Sequence, residues 1–147
     1  MEGQVIAMQD RGEGSPMKVL VVDDDPLVVT LLSVILGGHN FEVSEATSGL
    51  QGLELVKTGS PDVVLLDIMM KDIDGFEVFE RMKRDPEIGD IPVVYLTAST
   101  NQECIERATE LGAFGYIVKP FAPHALRAFL RKAATSRRVE TCIIEAV

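Results

Sequence analysis

The chain has 147 residues, is 46% hydrophobic and 25% charged, and carries a net charge of -9. That length suits one core and leaves too little surface to bury for two, and no stretch is long and apolar enough to span a bilayer. The acidic balance argues against direct nucleic-acid binding, which needs a basic footprint, and fits a protein that recruits metal ions and partner proteins.

Residues 1–16 are polar and hold Gly12, Gly14, Ser15 and Pro16, the composition of a flexible leader. They lack the basic start and continuous apolar segment of a secretory signal, so a cytoplasmic location is expected. The folded domain is expected over residues 17–134. A strand at 18–22 contains the apolar run Val19, Leu20, Val21 and Val22 and stops on Asp23, Asp24 and Asp25. Asp25-Pro26 reads as a helix N-cap with proline at the first helical position, and Val28, Leu31, Leu32 and Ile35 follow at helical spacing. The strand at 41–46 alternates enough to suggest a sheet edge, and a helix near 50–57 is expected to close at Gly59 and Pro61.

A second apolar run, Val63 to Leu66, lies in a strand expected at 62–66 and stops on Asp67. A loop leads from Ile68 to a helix at 75–84, and a strand at 92–96 then ends on Thr97. A helix at 102–111 is closed by Gly112, and a short strand at 115–118 runs into Lys119-Pro120-Phe121. Leu126, Phe129, Leu130 and Ala133 mark the last helix. Beyond Arg138 the pattern fades, so 135–147 reads as a tail or linker, and 139–147 as a frayed end, a short docking strand or the start of a longer segment. Cys104 and Cys142 match no metal spacing and are read as reduced thiols.

Five strand–helix units with unbroken apolar strands imply an α/β fold: a parallel sheet covered on both faces, joined by right-handed crossovers, with ligands at the carboxyl ends of the strands. That rim gathers Asp23, Asp24, Asp25 and Asp67. Clustered carboxylates repel one another unless a cation or proton relieves them, which asks for a hard divalent metal held by oxygen. Asp67 can be a metal ligand, a general base or a nucleophile accepting a phosphoryl group, and the plain alternative is a cap on the following segment. Mg²⁺ would suit the phosphoryl role best, since it binds few carboxylates plus phosphate oxygens and water. The same capping alternative applies to Asp23 and Asp24, and it is the preferred reading of Asp25.

Thr97 brings a hydroxyl to the same rim, either for a phosphoryl oxygen or simply as a β-branched strand residue. Lys119 brings a cation, either as a solvated surface charge or as a counter-ion for phosphate or Asp67, and Pro120 suits a cis turn. His39 and His124 match no motif and are read as surface or capping residues.

From Met17 to about Ala134 these residues together resemble the receiver domain of two-component response regulators. MKVLVVDDDP looks like the family's first strand and acidic pair and VVLLDIMMKDIDG its phosphoacceptor loop, while VVYLTA, GYIV and KPF look like its switch hydroxyl, switch aromatic and lysine-proline turn. The resemblance implies a flavodoxin-like (βα)5 three-layer sandwich with a five-stranded parallel sheet in the order 2-1-3-4-5. It also implies that Asp67 is the phosphoacceptor, that Asp24 binds Mg²⁺ directly with Asp23 assisting, and that Met69 adds its backbone carbonyl. Thr97 and Lys119 would grip phosphoryl oxygens, and Tyr116 would repack as Thr97 moves inward. The chain departs from the family at Lys71, where the loop commonly has proline; Met69 and Ser99 occupy positions that modulate loss of the phosphoryl group.

The implied function is a signalling switch phosphorylated by a sensor histidine kinase or a histidine phosphotransfer protein, with self-catalysed phosphorylation and dephosphorylation and no external substrate. A downstream protein effector would read the face formed by helix 4, strand 5 and helix 5, roughly 100–111 and 115–134, without membrane or nucleic-acid contact; a homodimer is one possible form. An alternative is an aspartyl-phosphate phosphohydrolase of the haloacid-dehalogenase type, but its second Asp, two positions after the nucleophile, is Met69 here. A third reading, an interaction module whose switch no longer operates, sits poorly with Asp24, Asp67, Thr97 and Lys119 all being present. Arg127, Arg131, Lys132, Arg137 and Arg138 are read as a solvated basic helix face.

Overall fold

The computed structural model describes residues 14–136 and the strand Cys142–Ile144. The expected leader, apart from 14–16, and most of the expected tail therefore lie outside the described residues. The elements alternate as β1 (Met17–Val22), α1 (Pro26–Leu36), β2 (Phe41–Ala46), α2 (Gly49–Gly59), β3 (Val63–Leu66), α3 (Gly75–Arg84), β4 (Val93–Thr97), α4 (Gln102–Leu111), β5 (Gly115–Val118), α5 (Pro123–Thr135) and β6 (Cys142–Ile144). All strand pairs are parallel, in the order β2-β1-β3-β4-β5-β6.

The expected order of the first five strands holds, and β6 extends it. Of the three readings for 139–147, a short docking strand describes Cys142–Ile144, whose backbone pairs with Gly115, Tyr116 and Ile117; the rest of that stretch lies outside the described residues. This strand covers the edge of β5, which the expected readout face of helix 4, strand 5 and helix 5 includes. Several boundaries also moved by one or two residues. β4 begins after Pro92, which lacks the N–H a ladder requires, yet the Pro92 carbonyl accepts Val64 N–H at 3.0 Å and Thr97 stays paired with Val118. α2 runs through Gly59, and Ser60 takes the left-handed closing position at φ 47 before Pro61 blocks continuation.

The unbroken apolar strands are buried on both faces for the reason their sequence implies. Leu20, Val22, Val64, Leu66, Val93, Tyr95 and Tyr116 pack beneath α2, α3 and α4, where Val56, Phe76, Val78, Phe79, Met82 and Ala108 meet them. On the opposite face Val19, Val21, Val63, Leu65, Val94 and Leu96 pack beneath α1 and α5, against Leu32, Leu36, Leu126, Phe129 and Leu130. β2 lies at the sheet edge and alternates in exposure from Phe41 to Ser44, after which Glu45 is also exposed and Ala46 buried.

Two polar contacts fix the helices next to the β3–α3 loop. Tyr95 is fully buried and donates its hydroxyl to the Gly75 carbonyl at 3.1 Å, while its ring packs against Phe76, Phe79 and Tyr116. Gly75 itself sits so close to the preceding strand end that an added Cβ would lie 2.3 Å from the Asp67 carbonyl oxygen. At α2, Ser48 caps Gln51 N–H, and Asp72 reaches across from the β3–α3 loop to accept from Gly49 N–H at 3.0 Å and Leu50 N–H at 2.9 Å. Against a partial desolvation, these backbone donors hold the Asp72 carboxyl below its ordinary range.

Tyr95→Phe should lower stability in urea denaturation by about 1–2 kcal/mol, because the Gly75 carbonyl loses its buried partner. Gly75→Ala should lose about 1–3 kcal/mol by overpacking. Asp72→Ala should lose about 1 kcal/mol at neutral pH. An acid whose pKa is lower folded than unfolded stabilises above the unfolded value and stops doing so as the pH falls through the folded one. The gap between wild type and Asp72→Ala in thermal melts should therefore close below about pH 4.

Candidate functional site

The parallel register brings the carboxyl ends of β1 and β3 side by side, with Val22 opposite Leu66. The residues that follow each strand must then meet, and carboxylate oxygens of Asp23, Asp24 and Asp67 lie within 4.8 Å of one another. Asp25 points elsewhere: it is the N-cap of α1 and accepts from Leu27 N–H at 3.0 Å, with proline in the first turn.

The three clustered acids have different surroundings. Asp23 is buried; its Oδ1 accepts from Asp25 N–H at 2.9 Å and its Oδ2 pairs with Lys119 Nζ at 3.2 Å. Asp24 is half-buried, and its Oδ2 accepts from the Lys71 backbone N–H at 3.1 Å. Asp67 accepts from Ile68 N–H at 2.8 Å. Burial, reinforced by the Asp23 charge, raises the Asp67 pKa, while Lys119, Ile68 N–H and the Thr97 hydroxyl oppose the shift. The site thus holds more negative charge than its one paired lysine balances, and its donors are hard oxygens in a partly open position. That donor set fits a divalent cation.

Thr97 is buried at the end of β4, and its Oγ1 also accepts a long hydrogen bond from Ser99 N–H at 3.4 Å. Lys119 follows β5, with its N–H on the Thr97 carbonyl at 2.8 Å, and the Lys119–Pro120 peptide is cis. Lys119 pairs with Asp23 and its charge also acts on Asp67, so its ammonium faces the acidic site rather than solvent. Tyr116 is fully buried and donates to the Ser99 carbonyl at 3.0 Å, tying β5 to the loop after Thr97. Met69 turns its side chain to solvent at 68% exposure, leaving only main-chain atoms to serve the site. His39 and His124 are exposed, and neither belongs to the acidic cluster.

Sequence reasoning missed Tyr95, Asp72 and the Lys71 N–H. Tyr95 had one signal, a polar aromatic within an otherwise aliphatic strand; a backbone donor 47 residues from its acceptor had none.

Comparison with known proteins gives one family. Residues 19–131 match the response regulator receiver domain. The chain is 35% identical over 114 residues to the DNA-binding dual master transcriptional regulator RpaA of Synechocystis, covering 78% of this chain and 47% of that protein. It is 37% identical to the DNA-binding response regulator MtrA of Mycolicibacterium smegmatis, with 78% and 49% covered. The chain spans about half the length of these curated relatives, so the charge argument against nucleic-acid partners applies to the receiver segment alone. Among solved structures, a putative response regulator from Chloroflexus aurantiacus superposes with a TM-score of 0.78 at 30% identity, covering 83% of this chain and 100% of that one. The chemotaxis response regulator CheY4 of Vibrio cholerae gives 0.75 at 29% identity, with 81% and 99% covered. With its sheet order, its rim of acids and this match in hand, the chain belongs to the response regulator receiver domain family.

Proposed function

We propose that the domain, spanning residues 17–134 between a leader and a C-terminal segment, is a phosphorylation-operated switch whose acceptor is Asp67. The observation that carries this reading is the convergence of Asp23, Asp24 and Asp67 with Thr97 and Lys119 on one rim. A carboxylate oxygen of Asp67 attacks the phosphorus of a phosphohistidine on a sensor kinase or phosphotransfer protein; the P–N bond breaks and the imidazole leaves. Water later attacks the acyl phosphate, releases inorganic phosphate and restores the carboxylate, with no external substrate consumed.

Asp24, Asp67 and the Met69 carbonyl would hold Mg²⁺, with Asp23 assisting. Once bound, Mg²⁺ supplies the charge neutralisation that phosphoryl transfer between anions requires. Thr97 offers a hydroxyl to one phosphoryl oxygen. Lys119 offers its ammonium to another, and a new dianion on Asp67 competes with Asp23 for that cation. Drawing Thr97 and Lys119 toward Asp67 pulls on the ends of β4 and β5, where Tyr116 is bonded to the Ser99 carbonyl. The face of α4, β5 and α5, now flanked by β6, is the surface an effector would read. Exposed Leu27, Leu31 and Val34 on α1, beside the rim, offer the phosphoryl donor an apolar place to dock. The switch would act in the cytoplasm, as monomer or homodimer; no helix among the described residues is long and apolar enough to cross a membrane.

Incubation with acetyl phosphate and Mg²⁺, followed by intact-mass and peptide analysis, should give a base-labile phosphoryl adduct on wild type and none on Asp67→Asn. Beryllofluoride should bind wild type only when Mg²⁺ is present. An adduct that persists on Asp67→Asn, or the lack of both adduct and beryllofluoride binding on wild type, would falsify the assignment.

A further inference from the structure

Two consecutive residues of the β3–α3 loop fasten it in opposite directions. The Lys71 N–H donates to Asp24 Oδ2 at 3.1 Å, on the β1 side of the rim. The Asp72 carboxylate grips the first two N–H groups of α2 at 3.0 and 2.9 Å. The loop is closed at its base by Gly75 N–H on the Ile68 carbonyl at 2.8 Å, and Ile73 packs so tightly on Gly49 that a Cβ there would lie 2.6 Å from its side chain. With both flanks held, the Lys71 N–H is a fixed donor rather than a passing one.

We propose that the main-chain N–H of Lys71 is a positioning group that presets Asp24 for the divalent cation, and that Asp72 holds this donor in place. The inference rests on the reading of the rim as a metal and phosphoryl site. A carboxylate tethered through one oxygen loses the rotation it would otherwise give up on binding, and keeps its second oxygen and remaining lone pairs for the metal. The side chain of Lys71 takes no part in the tether; its positive charge near the rim opposes a cation. The departure at this position thereby gains a physical meaning, because proline has no N–H to donate.

That separation of backbone from charge sets the test. Lys71→Ala removes the ammonium and keeps the donor, whereas Lys71→Pro removes both. Mn²⁺, which shares the oxygen chemistry of the site, would be titrated into unphosphorylated protein and the free ion followed by electron paramagnetic resonance. Lys71→Ala should bind Mn²⁺ as tightly as wild type or tighter, and Lys71→Pro should bind about tenfold more weakly than Lys71→Ala. Asp72→Ala, with Lys71 intact, should also bind several-fold more weakly than Asp72→Asn, which removes the same charge but keeps a side-chain oxygen for the α2 N–H groups, at temperatures where the metal-free melts show both folds intact. Equal affinities for Lys71→Pro and Lys71→Ala would overturn the inference. If the proline variant does not fold, Asp72→Ala decides, and wild-type affinity there overturns it. Should wild type itself take up no Mn²⁺, the metal-site reading falls and takes this inference with it; phosphorylation of Asp67 does not enter the measurement.

Discussion

Like-charge repulsion at the end of two buried strands is the constraint on which the rest of this structure turns. Parallel pairing of β1 with β3 holds Asp23, Asp24 and Asp67 together, because they lie within two residues of the ends of strands whose side chains are locked into the two cores. The unfavourable energy is partly relieved within the chain: Lys119 and the Asp25 N–H occupy Asp23, the Lys71 N–H occupies Asp24, and the Ile68 N–H occupies Asp67. These contacts do not remove the excess. Burial and the Asp23 charge still push the Asp67 carboxyl up, which leaves the rim receptive to a cation and to the neutralising contacts of a transferred group.

Around this charged rim the fold is arranged so that a local change has few ways to dissipate. Tyr95 and Tyr116 meet as tilted rings in the same core, one bonded to the start of α3 and the other to the loop after β4. Both hydroxyls end on main-chain carbonyls, so movement of either loop has to be accommodated by a buried ring. Close packing makes such rings respond by changing position as units rather than by bending slightly. The β3–α3 loop is likewise fastened through main-chain and carboxylate contacts rather than through apolar packing alone.

β6 changes the description of the surface on the far side. An edge strand presents unpaired backbone groups, and here the edge of β5 is met by Cys142–Ile144. The face assigned to an effector therefore consists of α4 and α5 with a strand edge already engaged by the chain's own later residues.

Much of this was legible beforehand because apolar patterning and turn chemistry are local. The runs Val19 to Val22 and Val63 to Leu66, the Asp25-Pro26 cap, and Gly112 at the end of α4 each carry their meaning within a few residues, and the ordered motifs pointed to the family. The acids at strand ends were legible for the same reason. Tertiary structure alone decided which oxygen each acid offers and to whom. Asp72 meets α2 across more than twenty residues of chain, Lys71 meets Asp24 across 47, and Lys119 meets Asp23 across 96. Contacts between a side chain and a distant backbone group leave no periodicity or spacing to read, since any residue but proline supplies the same N–H. For the same reason β6 was only one of three readings: its pairing lies in backbone register with β5, and three residues are too few to impose a pattern.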